Sequence, residues 1–446
     1  MPQRYNTSRR WTLFRCFIDR LRDCRGNIAI ITALALPALI GVAGLGVETS
    51  YWYYLKRGMQ NAADAAVVAA ATNNSSGYAS EALAVAAQYG FQNGVNQVTI
   101  TAASSLSCPS GISTSPCYSV TITILVPQFL SQVVGYTAAT TISNVPYTRI
   151  SSTGMAVSTS HSYCLLALGN SGAVGIQGNG APFANLAGCS IMSDTSATCS
   201  GHNLNADYGD AHTINNNCGV VANSNYPKVS DPYAYLTANI PANSCGGNYP
   251  QKPAKKHDPS LPVSNQWSGA TNLSGNVMVC GDLQLTGNVT INAPSGAVLV
   301  IENGQLDTNG YTLQTSSGSV LTVVFSGTNG SYTHVPTGGG TLNFSAPTSG
   351  VWSGVAIYQD PALTTGVNVT AAGNSPTWDI TGLVYLPNSS VTFSGAVNKS
   401  SNGSSCFGLV VDNIVINGTG AILAHGGCST AGLTLPQGAS RAQLVY

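Results

Sequence analysis

The chain has 446 residues, only 7 % of them are charged, and its formal net charge is zero. An average soluble protein contains about 25 % charged residues. A length of this kind allows two to four domains, and a chain rich in Gly, Ser, Thr and Asn favours turn-rich β-structure outside the cytoplasm. Because the chain after its N-terminal tail carries no basic face, a nucleic acid is disfavoured as a partner.

An apolar stretch near the N-terminus predicts a membrane anchor. It runs from Ile28 to Val47 without a charge, and a helix of this length spans the roughly 30 Å hydrocarbon core of a bilayer. Seven arginines precede it, whereas Glu48, Lys56 and Arg57 follow it. This asymmetry predicts a cytoplasmic basic tail, residues 1–25, whose arginines meet anionic lipid headgroups, and an exported remainder.

Two other interpretations of the apolar stretch are a cleaved secretory signal and a prepilin leader. Signal cores usually have about 7 to 15 apolar residues, and this stretch is longer and continues into a helical pattern. Gly26 precedes it as in pilins, but Ile31 stands where pilins have glutamate. The pattern therefore favours an anchor that stays attached.

The helical pattern continues beyond the apolar stretch, through aromatic residues 51–54 and an alanine-rich run, so we predict one anchor segment over residues 26–72. The order of features is a basic tail, then GNIAIITALALPALIGVAGLGVE, an aromatic pair and LKRGMQNAADAAVVAAA. This order resembles the N-terminal module of TadE/TadG-like proteins of bacterial Flp (tight-adherence) pilus assembly. The resemblance implies an inner-membrane protein, mostly periplasmic, that works with other Tad/Flp proteins in pilus assembly or surface adherence.

The most distinctive part of this segment is its packing motif, which hydrophobicity alone would not dictate. It consists of Gln60, Asn61, Ala62, Ala63, Asp64 and Ala66. Ala62, Ala66, Ala69 and Ala70 share one helix face. Small residues on one face let either another helix or the protein's own next domain approach closely, and the sequence leaves both open.

Residues 73–159 predict a small α+β juxtamembrane domain. A helix is expected from Ser80 to Gly94, and strands are expected over residues 97–103, 118–126, 136–145 and 148–157. The segment YSVTITILV is rich in β-branched residues, which favour strands.

From residue 160 to residue 446 short apolar segments alternate with Gly/Asn turns. The phrase Ser274–Val279 returns twelve residues later as Thr286–Ile291. Such a recurrence predicts a parallel β-helix-like solenoid, with a β-sandwich as the alternative. Residues 200–268 depart from the pattern and are interpreted as an irregular insertion. The predicted fold is therefore mainly β, with an N-terminal transmembrane helix.

Ten cysteines follow the apolar stretch, and an even number in an oxidising compartment predicts disulfides. They are Cys108, Cys117, Cys164, Cys189, Cys199, Cys218, Cys245, Cys280, Cys406 and Cys428. The favoured pairs are Cys108 with Cys117 and Cys406 with Cys428. Cys16 and Cys24 lie in the tail and are expected to be reduced.

Two clusters of oxygen and nitrogen ligands suggest metal binding only weakly. Residues 194–198 fit the DxSx(S/T) spacing of von Willebrand A domains, but no long hydrophobic strand precedes them. His202, Asp207, Asp210 and His212 crowd into a short segment, as surface loops often do. We therefore expect no metal site and no cofactor.

The chain contains no recognisable catalytic motif, and we expect a structural protein rather than an enzyme. A glycosidase needs two carboxylates held close together, whereas the acidic side chains are scattered. They are Glu302, Asp307, Asp360, Asp379 and Asp412. The alternative is a carbohydrate-binding or polysaccharide-processing protein that stacks sugars on Trp267, Trp352 and Trp378. Aromatics and two carboxylates in one groove would favour it, and buried aromatics would favour a scaffold. The oligomeric state stays open.

Overall fold

The computed structural model describes residues 24–106, 116–255, 257–364, 368–371, 376–397, 405–418, 421–423 and 427–445. These residues are mainly β, with one long apolar helix at the N-terminal end, as the sequence predicts. They form two compact units. The first comprises residues 1–159 and 440–446, and the second comprises residues 160–439.

Two α-helices lie in the described part of the chain, α1 (Cys24–Asn73) and α2 (Tyr78–Gln88). The strands are, in chain order, β1 Val98–Leu106, β2 Cys117–Pro127, β3 Thr140–Ile142, β4 Val145–Thr159, β5 Tyr163–Ala167, β6 Ile176–Gly178, β7 Phe183–Asn185, β8 Ser190–Ser193, β9 Ala197–Cys199, β10 Tyr208–Ala211, β11 Asn215–Asn216, β12 Val221–Asn223, β13 Gln266–Asn272, β14 Gly275–Cys280, β15 Leu283–Asn292, β16 Ala297–Glu302, β17 Leu306–Asp307, β18 Thr312–Thr315, β19 Leu321–Ser326, β20 Pro336–Thr337, β21 Thr341–Ser345, β22 Val355–Gln359, β23 Asn368–Ala371, β24 Pro376–Phe393, β25 Ala396–Val397, β26 Phe407–Ile416, β27 Ala421–Leu423 and β28 Arg441–Leu444. Short 3₁₀ turns occupy Ser131–Val134, Ala234–Asn239, Val263–Asn265 and Cys428–Ala431.

The first unit is an antiparallel sheet packed against helix α1. Its strand order is β1-β2-β4-β28, and β3 pairs with β4. Val120 and Ile122 of strand β2 are fully buried in one cluster with the alanine face of the helix. The β-branched segment YSVTITILV forms this strand because its alternate side chains fill that cluster.

The last strand of the chain belongs to this first unit. Strand β28 pairs with β4, with Arg441 opposite Thr159 and Leu444 opposite Ala156. The predicted boundary differs, because it extended the second region to residue 446. The pairing joins two segments far apart in sequence, and no local pattern marks such a partner.

The second unit is built from parallel strand pairs. Its longest ladder runs β14-β16-β19-β22-β24-β26-β5-β8-β10-β12. A second ladder runs β13-β15-β18-β21-β24-β25-β27-β7. The order of strands in the ladder is not their order in the chain, because the late strand β26 pairs with the early strand β5.

This ladder order requires a long connection, because β12 lies at one end of the first ladder and β14 lies at the other. Residues 224–265, here called the return segment, make that connection. The predicted insertion over residues 200–268 begins earlier, but strands β10 and β12 continue the parallel pairing. The part of the chain outside the ladder is therefore shorter than the sequence suggests.

Polar contacts fix the return segment along the ladder. The Val229 N–H donates to Asp194, and the Tyr385 hydroxyl donates to Asp231. Asn243 then donates to Glu302. Each contact joins the return segment to a different part of the ladder, so the segment is fixed at several points along it.

Four disulfides lie in the second unit. They join Cys164 to Cys189, Cys199 to Cys218, Cys245 to Cys280 and Cys406 to Cys428. The last is one of the two pairs favoured from the sequence. In the first unit Cys117 is also disulfide-bonded, while Cys108 lies outside the described residues, as does Cys16.

Asp282 is the acceptor that fixes the end of the return segment. Its buried carboxylate accepts hydrogen bonds from the Lys252 N–H (2.7 Å), the Gln305 N–H (3.0 Å) and the Gln305 side-chain amide (2.9 Å). Losing it would leave three part-buried donors without their acceptor, and such groups are costly.

We therefore expect Asp282→Ala to lower the free energy of unfolding by about 3 kcal/mol and to speed hydrogen exchange in residues 245–262. The matched control is Asp258→Ala, which removes an exposed carboxylate that accepts from the Lys255 N–H in the same segment. Hydrogen–deuterium exchange of the full-length protein in detergent compares the two. Equal exchange in both variants would contradict the role given to Asp282.

Candidate functional site

The distinctive helical motif of the sequence lies where helix α1 meets the sheet of the first unit. Ala62, Ala63, Ala66 and Ala70 are fully buried there. Of the two possibilities left open by the sequence, packing on the protein's own domain is the one that the described residues show. Ala69 is only partly buried, and Asn61 is exposed.

Alanine is needed because two backbones approach closely. A Cβ atom added to Gly154 of strand β4 would lie 2.7 Å from the Ala63 carbonyl oxygen, which is closer than carbon and oxygen can pack. The helix must therefore present small side chains, and the strand must present glycine. A larger residue on either side would push the helix away from the sheet.

Hydrogen bonds fix the helix along this contact. The Gln60 side-chain amide donates to Asp64 (2.8 Å) and to the Thr153 carbonyl (3.1 Å). The Ser152 hydroxyl donates to the Lys56 carbonyl (3.2 Å). Gln60 and Asp64 of the motif thus act as a polar clasp beside the alanine face.

Glu48 makes a second clasp, at the end of the apolar stretch. One carboxylate oxygen accepts from the Leu130 and Ser131 N–H groups, both at 2.9 Å. The other accepts from the Phe129 N–H and the Ser131 hydroxyl, both at 3.1 Å. In the sequence Glu48 stands out only as the first charge after the apolar stretch. A lone acid directly after an apolar run is the signal that points to this contact.

The clasp determines the charge state of Glu48, which is only 8 % exposed. Burial alone raises the pKa of a carboxyl group. Here three consecutive backbone N–H groups and one hydroxyl donate to it, and they hold the pKa of Glu48 below its ordinary value. The side chain is therefore a carboxylate at neutral pH.

Residues 26–73 match the family model of the TadE/G-like Flp pilus-assembly domain. The resemblance noted in the sequence is thereby confirmed over this segment. Neither a curated protein nor a solved structure matches the chain. The matched segment begins close to the start of α1 and ends at its last residue, so it contains the apolar stretch, Glu48 and the buried alanine face.

The match to the TadE/G-like model does not extend to the second unit. The contacts of the predicted site residues there show what those residues do. Asp194 begins the DxSx(S/T) motif, but its buried carboxylate accepts from the Val229 N–H of the return segment at 2.9 Å. Burial raises the pKa of Asp194 to about 6. The motif thus holds the return segment in place.

The His202 cluster is also dispersed by the fold. His202 accepts from the Leu204 N–H, and Asp207 accepts from the Gly188 N–H. Asp210 is fully buried, and its carboxylate accepts from the Tyr163 hydroxyl at 2.7 Å. His161 Nδ1 lies 2.6 Å from the same carboxylate. No group of three or more His, Cys, Asp or Glu side chains suited to a metal occurs among the residues that the structure describes.

The tryptophans of the carbohydrate alternative do not line a common groove. Trp352 and Trp378 are almost fully buried, and Trp267 is half-buried and donates to the Ser264 carbonyl. Trp378 packs edge-on against Phe393 inside the core. Tryptophans buried in this way give no support to the carbohydrate alternative.

The scattered carboxylates serve as internal acceptors and ion-pair partners. Glu302 accepts from Asn243, Asp307 pairs with Lys252, and Asp412 accepts from the Ser171 N–H. Burial raises the pKa of Glu302. Asp360 accepts from Thr237 of the return segment.

His334 is a buried titratable group that no sequence motif marks. Its side chain is 1 % exposed, and neither ring nitrogen has a hydrogen-bond partner among the described residues. Burial lowers the pKa of His334 to about 4, although Asp360 and Asp282 oppose the shift. The ring is therefore neutral in the folded protein at physiological pH.

We expect Ala63→Leu to destabilise the first unit by about 2 to 3 kcal/mol, because the larger side chain meets the backbone of strand β4. Asn61→Leu is the matched control, since it places the same residue on the exposed face and is expected to change stability by less than about 0.5 kcal/mol. Thermal unfolding of the full-length protein in detergent compares them. Equal stability of the two variants would show that the close approach is not required.

His334 also predicts a pH dependence. Its pKa is lower in the folded protein than in the unfolded chain, so its contribution to stability is complete above pH 6.5 and is lost as the pH falls toward 4. The loss amounts to about 3 kcal/mol. Asp194 has the opposite sign between about pH 4 and 6, so the effect of His334 must be isolated by difference.

The test is His334→Phe, which replaces the ring by an apolar one of similar size. The advantage of this variant over the wild type should grow by about 3 kcal/mol between pH 7 and pH 4, measured by chemical denaturation with the disulfides intact. His257→Phe, at an exposed position, is the control. A constant difference across this range would contradict the burial of a neutral imidazole.

Proposed function

We propose that this protein is a membrane-anchored structural component of Flp (tight-adherence) pilus assembly that presents a rigid β-solenoid outside the inner membrane. The observation that carries the proposal is the TadE/G-like helix itself. It is continuous from Cys24 to Asn73, its apolar stretch is exposed, and its alanine face is buried in the first unit.

Exposure along the apolar stretch supports a single-pass anchor. Leu34 and Leu39 are 76 % and 65 % exposed, which is unfavourable in water but favourable in hydrocarbon. Arginines are concentrated on the N-terminal side, which supports a cytoplasmic N-terminus. The four disulfides of the second unit fit an oxidising compartment such as the periplasm.

The inward columns of the second unit support a parallel β-helix. One in-register column passes through seven fully buried aliphatic residues, one from each successive strand. They are Leu299, Val323, Ile357, Val384, Leu409, Leu165 and Ile191. Burial of such a column stabilises a stack of coils by about 25 cal/mol per Å², and it produces a rigid body.

A structural role is also supported by how the second unit uses its polar groups. Trp352 and Trp378 are packed in the core, and the carboxylates described above accept hydrogen bonds or pair with lysine. Enzymes place such groups at a cleft where a substrate can reach them. The partners of this body are, in our proposal, other Tad/Flp pilus-assembly proteins, and its solenoid contributes to adherence.

The proposal predicts that deleting the gene in its own bacterium abolishes or strongly reduces Flp pili, counted by electron microscopy, and that the wild-type gene restores them. Leu34→Arg should fail to restore them, because a charge in the middle of a span costs about 2.5 to 3.5 kcal/mol. Tyr54→Arg is the matched control, since Tyr54 is equally exposed but lies beyond the apolar stretch.

Two results would contradict this function. Normal pili in the deletion strain would remove the connection with pilus assembly. Full restoration by Leu34→Arg, with the protein recovered in the soluble fraction, would show that the anchor is not required.

A further inference from the structure

A short apolar loop lies beside helix α1 at the end of its apolar stretch. Residues 127–136 connect β2 to the strands that follow, and the loop carries Phe129, which is 73 % exposed, and Tyr136, which is 53 % exposed. A groove of about 570 Å³ separates the loop from the helix, and its walls include Val47, Tyr51 and Leu130. Large exposed aromatics beside an apolar groove mark an interaction surface.

The depth of this loop follows from its contact with the helix. A Cβ atom on Gly44 would overlap the Leu130 side chain, so Leu130 lies directly against Gly44. Gly44 is three residues inside the end of the apolar stretch, which corresponds to about 4.5 Å along the helix. If the stretch spans the bilayer, Leu130 lies within the apolar margin of the membrane.

A backbone at that depth must have its hydrogen bonds satisfied, because lipid offers no donors or acceptors. Glu48 satisfies three consecutive N–H groups of the loop, at residues 129–131. The same donors stabilise the charge of Glu48, the only acidic side chain among the described residues of the groove wall. The backbone of residues 129–131 is thus suited to a medium without hydrogen-bonding groups, and the Gln128 side chain, which has no partner among the described residues, is buried inside the protein.

Tyr51, Trp52 and Phe129 line the groove, and further aromatic side chains lie near it. Tyr51, Tyr53 and Tyr54 are exposed on the helix, and Trp52 packs against Tyr136 with ring centroids 5.6 Å apart. Tyrosine and tryptophan concentrate where hydrocarbon meets water. The groove is continuous with the apolar stretch through Gly44 and Val47, so the same phospholipids that surround the stretch reach it.

We propose that residues 127–136 form a wedge that inserts into the outer leaflet of the membrane, with a phospholipid chain in the groove between wedge and helix. This inference rests on the proposed anchoring of α1 and goes beyond it. The first unit then contacts the bilayer at two points, which restrict tilting of the domain about its anchor. Protein partners at this surface are the competing outcome of the test.

The test uses the full-length protein in nanodiscs of phosphatidylethanolamine and phosphatidylglycerol. The photo-crosslinking residue benzoylphenylalanine replaces Phe129, an aromatic for an aromatic at an exposed position. Leu39 in the apolar stretch is the positive control site. Tyr235, 70 % exposed in the second unit, is the negative control site. Phospholipid adducts are counted by mass spectrometry.

We expect lipid adducts at positions 129 and 39, with the yield at 129 about tenfold above that at 235, as for a side chain buried in the interface. Glu48→Ala should lower the yield at 129 several-fold, because the released loop no longer has its N–H groups satisfied, whereas Glu81→Ala, at an exposed site, should leave it unchanged.

The outcomes separate the wedge from the anchor. Adducts at 39 without adducts at 129 would overturn the wedge and leave the anchor intact. Adducts at neither position would overturn both. In cells, crosslinking of position 129 to a protein instead of lipid would overturn the wedge in favour of a docking site for a pilus-assembly partner.

Discussion

The close approach of helix α1 to strand β4 is the constraint on which the first unit depends. The apolar stretch of this helix is exposed, whereas its alanine-rich continuation is buried against a sheet. Small side chains let the two backbones approach at Ala63 and Gly154, and this spacing transmits the direction of the helix to the domain. A bulkier helix would pack farther away, where Gln60 could not reach the Thr153 carbonyl.

The second unit uses buried carboxylates as hydrogen-bond acceptors. A fully buried acid is unfavourable unless donors surround it. Asp282 accepts three hydrogen bonds. Asp210 accepts two hydrogen bonds and also contacts His161. Such acids fix segments that the regular strand pairing does not hold, the return segment above all. In this unit buried acidic residues therefore hold the irregular segments in place, as apolar side chains hold the strands of the ladder. Loss of one such acid would destabilise the segment that it holds.

Local patterns in the sequence predict what is local in the structure. The apolar run predicts α1, and alternating β-branched residues predict β2 to within one residue at each end. The pairing of β26 with β5, and of β28 with β4, could not be predicted, because parallel and distant pairing leaves no mark in the residues between the strands. Turn-rich residues at 200–223 suggested an irregular insertion, since very short strands do not show a period. Glu48 was overlooked because its partners lie more than eighty residues away.

Glu48 also determines the rotational register between helix α1 and the sheet of the first unit. Moving the helix by one residue relative to the sheet would rotate it by about 100° and shift it by about 1.5 Å. The carboxylate would then point away from the Leu130 N–H, and the alanine face would turn away from Gly154. The two clasps lie several turns apart on one continuous helix, so both are satisfied in a single register only. The orientation of the first unit about the helix axis is thus encoded by polar side chains that follow the apolar stretch.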